Sequence, residues 1–127
     1  MVQRLFALLA LILLNICSIY AQKFYVEKTV DGYEQPIIDK LISENYKISF
    51  KKDSANYTVM CIIGKTGMGR AKGSVAIIDN KSGDLLVKSK EVTGQTAIWN
   101  GYANPKMVAM KKIADDYLID MIKKVKK

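Results

Sequence analysis

The stretch Tyr57–Val92, YTVMCIIGKTGMGRAKGSVAIIDNKSGDLLVKSKEV, decides the fold. Tyr57 to Ile63 is apolar on both parities, as a central strand buried on both faces should be. Gly64 to Gly69 (GKTGMG) breaks it with a flexible connection. Arg70 to Asp79 resumes β-forming character, with Val75, Ala76, Ile77 and Ile78 at its heart. Asn80-Lys81-Ser82-Gly83 is a polar, glycine-ending turn of the kind that closes hairpins. Asp84 to Val92 returns as a further strand. Three strands joined by short turns predict an antiparallel meander.

The flanks supply the other layer. Lys23 to Val30 (KFYVEKTV) is rich in β-formers and reads as a first strand. Asp31 and Glu34 have the spacing of a capping box, Pro36 suits a first helical turn, and Ile37, Ile38, Leu41 and Ile42 recur at helical spacing. Asn45 is a left-handed stop, so a helix is expected from about Tyr33 to Glu44. Tyr46, Ile48 and Phe50 then alternate with Lys47, Ser49 and Lys51, a half-buried strand. Beyond the meander, Asn104 caps a helix with Pro105 at its first position. Met107, Met110, Ala114, Tyr117, Leu118, Met121, Ile122 and Val125 share one broad face of it, over about six turns. The expected fold is α+β: a two-layer sandwich of a mostly antiparallel sheet of about five strands with two helices on one face, in the order β-α-β-β-β-β-α. The far face of the sheet, with Lys72, Ser74, Lys88 and Lys90, faces water or a partner, including a second copy of the chain.

The amino terminus reads as an address. Arg4 precedes the apolar run Leu5 to Ile16, and small residues lead to Ala21. This is the pattern of a secretory signal peptide over residues 1–21, followed by a single domain over 22–127. The run is shorter than the roughly 20 residues that span a bilayer. The alternatives are a retained membrane anchor and lipidation at Cys17, although Ile16 is not the small residue such processing favours. Cleavage after Ala21 loses Arg4 and keeps all 12 acids, so the net charge falls from +8 to +7. It also leaves Cys61 as the one thiol, set in an apolar strand and read as a small buried hydrophobe.

Composition narrows the chemistry. The 127 residues contain no histidine and two cysteines. Nucleophile–histidine pairs, histidine metal sites and disulfide frameworks are excluded. Asp115 and Asp116 are adjacent on a helix and diverge by about 100°, so they do not converge as a carboxylate pair. Gly64-Lys65-Thr66 lacks the upstream glycine of a phosphate-binding loop (position 59 is Val59) and precedes a strand. The expectation is therefore no catalytic residue, no metal and no cofactor.

The candidate partner-binding residues are Trp99, Tyr102, Met68 and Arg70. Trp99 and Tyr102 lie in an irregular stretch, Thr93 to Ala103, rich in the residues of recognition loops. The alternative for Trp99 is a plug closing the core between sheet and last helix. Met68 is an apolar tip between two glycines, and Arg70 follows it. Lys123, Lys124, Lys126 and Lys127 complement the last helix's dipole or touch an anionic membrane or cell-wall polymer. Export argues against nucleic acid.

The layout resembles small periplasmic or outer-membrane-associated domains of Gram-negative bacteria, such as the amino-terminal domain of TolB and uncharacterised envelope lipoproteins. The resemblance rests on Glu44-Asn45-Tyr46, on Ala55-Asn56-Tyr57-Thr58-Val59, on the hairpin Val75 to Leu86 and on the long last helix. It implies envelope assembly or scaffolding and transfers no catalytic residue. Residues and resemblance together predict a non-enzymatic exported module, in the periplasm or at the outer membrane, bound to an envelope protein or cell-wall component. A secreted inhibitor of a hydrolase or toxin is the alternative, with a histidine-free hydrolase behind it. The inhibitor reading requires the Gly64–Gly69 and Thr93–Ala103 loops to lie at the same end of the sheet.

Overall fold

The computed structural model describes residues 2–10 and 22–125. The expected cleavage point after Ala21, the alternative lipidation site Cys17, and Lys126 and Lys127 lie outside the described residues. Residues 2–10 are helical, and Val2, Leu5, Phe6, Leu8 and Leu9 are exposed. No helix among the described residues is long and apolar enough to cross a membrane.

From Lys23 onward the chain is α+β, with a mixed sheet of six strands. These are β1 (Lys23–Val26), β2 (Lys47–Ile48), β3 (Tyr57–Gly67), β4 (Arg70–Asp79), β5 (Leu85–Lys88) and β6 (Val92–Gln95). Helix α1 (Gln35–Ser43) follows β1. The carboxy-terminal helix comes in pieces: α2 (Pro105–Ile113), a π-helical stretch (Ala114–Leu118) and α3 (Ile119–Val125).

The sheet order is β2-β1-β3-β4, with β5 and β6 both on the free side of β4. The meander is antiparallel, and β3 pairs with β4 from Tyr57↔Asp79 to Gly67↔Arg70. The amino-terminal side departs from the expected mostly antiparallel sheet, because β1 lies parallel to both of its neighbours. The cause is the connection: a helix between two strands is the crossover that parallel pairing needs, and α1 supplies it. The expected last strand, 84–92, is two strands along one edge of β4. β5 pairs with Ile78 to Ala76 and β6 with Gly73 to Arg70. Between them, Ser89 bonds Val75 through both its backbone N–H and its hydroxyl (2.8 and 2.9 Å).

One core joins the sheet to the helices. Phe24, Val26, Val59, Val75 and Ile77 meet Ile37 and Leu41 of α1 and Met110, Ile113, Leu118 and Ile122 of the last helix. Phe24 also packs edge-on to Tyr46, with ring centroids 5.8 Å apart. Residues four apart on an unbroken α-helix drift by about 40° per step. The wider π turn takes out that drift. Met110, Ala114, Leu118 and Ile122 therefore stay buried in one line.

Local details move in three places. Phe50, expected in the half-buried second strand, is 86% exposed, because β2 ends at Ile48. Asp31 does not cap α1. No side chain caps it; Glu34 holds the N-cap position, and Thr29 closes the turn ahead of the helix instead: its hydroxyl accepts from the Tyr33 N–H (2.7 Å), and the Glu34 carboxylate accepts from the Thr29 N–H (3.2 Å) and hydroxyl (2.8 Å). Gly32, at φ +75°, turns the chain so that Thr29 and Tyr33 meet. Asn45 is left-handed as expected, at φ +63°.

The last helix is seated on two glycines. A Cβ on Gly94 would stand 2.0 Å from the Pro105 carbonyl oxygen and 2.5 Å from the Ala109 nitrogen. One on Gly73 would stand 2.4 Å from the Met110 methyl. The absent side chains let α2 lie against β4 and β6 at backbone distance. On the opposite face of the sheet, Thr58, Ser74 and Ala76 are buried. Longer neighbours in register, such as Tyr25, Ile62 and Met60, flank them.

Candidate functional site

The site is built by two loops at one end of the sheet. The first is the β3–β4 hairpin. Its strands run to Gly67 and from Arg70, which leaves Met68 and Gly69 as the tip. Gly67 and Gly69 both take positive φ, at 155° and 70°. The second is the connection from β6 to α2, residues 96–104. Because Arg70 pairs with Gln95, β6 delivers this loop to the side of the hairpin tip. The Thr96 N–H donates to the Gly69 carbonyl at 2.7 Å and ties the loops together.

The second loop is stapled from within. The Asn100 side-chain oxygen accepts from the Ala97 N–H (3.0 Å) and the Ala103 N–H (3.3 Å), and its amide donates to the Gln95 carbonyl (2.9 Å). The Thr96 hydroxyl donates to the Ala103 carbonyl (2.9 Å), and the Tyr102 N–H to that of Ala97 (3.0 Å). Ile98 to Asn100 form a 3-10 turn that ends on left-handed Gly101. Tyr102 is left-handed too, at φ +58°. A tyrosine in that region costs on the order of 1 kcal/mol or more, so its surroundings hold it there.

These constraints turn the large apolar side chains outward. Met68 is 100% exposed, Trp99 85%, Ile98 77% and Tyr102 69%. Single apolar residues scattered over a surface need no explanation, but four on two adjoining loops do. Trp99 is thus not a plug in the core. The end of the core is closed instead by Ala97 and Ala109, both buried, and by the seat at Gly94. Arg70, Trp99, Tyr102 and Met68 all reach the same end. Ile98 was not singled out from sequence, although its place beside Trp99 in a loop rich in Asn, Gly and Thr was the available signal.

Grooves lie elsewhere among the described residues. A shallow groove of about 420 Å³ beside β1 and β3 is lined by Glu27, Tyr33, Cys61 and Lys106, among others. Burial pushes the Cys61 thiol up to about 12, helped by the Glu34 and Glu27 carboxylates. It stays protonated near neutral pH and is a poor nucleophile. Burial works against ionisation of Glu34, but bonds from its own backbone and from Thr29 outweigh it and hold the carboxyl below its usual range. A second groove, of about 550 Å³, lies at the opposite end, among Lys52, Asn56, Asp79, Asn80 and Lys81. There the Asn80 amide is engaged with the carbonyls of Lys52 and Ala55 (3.2 and 3.0 Å). Among the described residues no group of three or more cysteine, aspartate or glutamate side chains is placed to hold a metal ion.

No protein-family model matches the chain, and no curated protein matches it. Solved structures with a similar chain path include a candidate lipoprotein of Caulobacter crescentus CB15, at 15% identity over 85% of this chain and 93% of that one, with a TM-score of 0.48. A minor lipoprotein of Acinetobacter baumannii has 13% identity over 84% and 94%, also at 0.48. A PelC dodecamer from Paraburkholderia phytofirmans has 15% identity over 75% and 89%, at 0.42.

Proposed function

We propose that this chain is an exported, non-enzymatic binding module of the bacterial envelope that engages its partner through the loop pole formed by Met68, Arg70, Ile98, Trp99 and Tyr102. The observation that carries this reading is the joint exposure of four large apolar side chains on loops tied together and stapled from within. Leaving them in water forfeits on the order of 1.5–3 kcal/mol of burial each. A bound surface recovers part of that at little ordering cost, because the loops are already fixed. The export reading rests on the amino-terminal pattern of a basic residue, an apolar run and small residues.

The test is site-specific photo-crosslinking in intact cells. A crosslinker at Trp99 or Tyr102 should yield a discrete adduct. The same group at Lys81, at the other end of the sheet, should not. Equal labelling from both ends, or none from the pole, defeats the proposal. A second reading, an inhibitor that wedges these loops into a hydrolase or toxin, gains from one observation: the hairpin tip and the 96–104 loop lie side by side. The crosslinked species separates the two readings, since an inhibitor would capture an enzyme and a scaffolding module a structural envelope component.

A further inference from the structure

We infer that the loop pole is an interfacial anchor for an anionic lipid surface. This inference rests on the proposed role of the pole in binding and names what it binds.

Three observations favour lipid. First, the chemistry of the apex is that of a bilayer interface. Met68 and Ile98 are aliphatic, and Trp99 and Tyr102 are amphipathic rings of the kind that settle at headgroup depth. Second, Thr96 and Asn100 turn their polar groups inward. The Thr96 hydroxyl and all three Asn100 contacts close on the loop's own backbone. An aligned protein interface is positioned by directional hydrogen bonds at its rim. A fluid apolar phase needs none, and asks only that the backbone of the inserted loop be satisfied from within. Third, the strands, loops and first helical turns of this end carry a cationic surplus. Residues 60–78 and 92–114 hold six cations (Lys65, Arg70, Lys72, Lys106, Lys111 and Lys112) and none of the 12 acids, while Glu27 and Asp31 share a neighbouring groove with Lys106. Of these, Arg70, Lys72, Lys111 and Lys112 are exposed. Apolar tips above exposed Arg70 and Lys72 match an anionic headgroup layer over hydrocarbon.

The same geometry separates this anchor from the carboxy-terminal lysines. The strands β3 and β4 run from the turn at Asn80 to the pole, and β3 alone, at 11 residues, spans roughly 35 Å. Helix α2 begins at the pole, and α3, with Lys123 and Lys124, packs beside β5 toward the other end. Lys23, where the domain begins, is also at that far end, bonded through its N–H to Asn56 (2.8 Å). Insertion of a leader or contact through Lys123 and Lys124 would therefore leave Trp99 away from the bilayer.

Trp99 is the one tryptophan in the chain and reports on the pole directly. The exported protein is purified and mixed with vesicles of phosphatidylglycerol and phosphatidylcholine, and separately with phosphatidylcholine alone. On anionic vesicles the Trp99 emission should shift to the blue, be quenched by brominated acyl chains, and return toward the free spectrum as salt is raised. A Met68→Ser, Ile98→Ser double variant, which changes only exposed side chains, should need about tenfold more lipid or beyond for the same shift. A Lys123→Gln, Lys124→Gln variant should behave as the parent. The inference is overturned if the Trp99 emission is unmoved by anionic vesicles, or if the lysine variant abolishes the shift and the double variant does not. Unmoved emission with crosslinks retained at Trp99 would make the partner a protein and leave the binding role of the pole standing. Loss of both would remove that role as well.

Discussion

Replacing Gly94 by alanine tests whether the last helix is seated on backbone. The new Cβ would stand 2.0 Å from the Pro105 carbonyl oxygen and 2.5 Å from the Ala109 nitrogen. Both are main-chain atoms of one helical turn, so no rotamer change relieves the contact. To reach the 3.4 Å of an ordinary contact the first turn of α2 must retreat by about 1.4 Å. That turn leads directly into Met110 and Ile113, both fully buried, so a retreat opens the core while it relieves the clash. Overpacking of this kind costs typically 1–3 kcal/mol, occasionally more. Against it stands a gain of about 0.4–1 kcal/mol from the smaller entropy of the unfolded chain. A backbone clash at 2.0 Å belongs at the upper end of that cost, so the net loss should be about 2 kcal/mol. For a domain of this size that lowers the thermal midpoint by roughly 8–16 °C. The assay is urea unfolding followed by circular dichroism, with Gly64→Ala as control. A Cβ on Gly64 would meet only the Lys72 carbonyl oxygen, at 3.9 Å, and that variant should match the parent or exceed it slightly. Equal midpoints for the two alanine variants would refute the seat.

Asn100→Ala removes three contacts that hold the 96–104 loop. Amide exchange at Ala97 and Ala103 should quicken by about tenfold or more while global stability falls by no more than about 1 kcal/mol, since the loop is peripheral. A loss spread over the whole sheet would count against a local staple. Glu34 has its carboxyl held below its usual range, so the stabilisation it brings is full above the ordinary carboxylate value and fades as pH falls through its folded value. The urea midpoint should drop on acidification below about pH 5, and Glu34→Gln should flatten that drop; an unchanged acid limb would remove Glu34 from the account. With its thiol pushed up to about 12, Cys61 should resist disulfide exchange reagents at pH 8 in the folded protein and react promptly in urea. Rapid native-state labelling would refute the raised thiol.

The local grammar of the chain was legible. β4 matches its predicted limits, Asn104 caps α2 through the Lys106 N–H at 3.0 Å, and Asn45 stops α1 in the left-handed region. These features depend on residues within one turn of each other, where propensity and hydrogen-bonding reach decide. Burial on the last helix was read well but not fully. Met110, Ala114, Leu118, Met121 and Ile122 are buried as their spacing implies, and Ala109 and Ile113 join them. The π turn that rotates the second half of the helix has no signature in a 100° wheel. Phe50 was misread because alternation promises a face only if a neighbouring strand pairs that far, and β2 has just two residues in register.

By itself the sequence determined the α+β class, the meander, the capped last helix and the chemistry that a chain without histidine lacks. Only the tertiary structure decided that β1 lies parallel between two neighbours, because pairing partners are chosen by contacts across the chain and not by periodicity along it. It also gave Gly73 and Gly94 their meaning: hydrogen side chains that admit a helix, which no local rule distinguishes from loop glycines. The pole was settled the same way. Met68 and Trp99 are 31 residues apart in sequence, and they come to the same end of the sheet because the register of β6 on β4 sets Gln95 opposite Arg70.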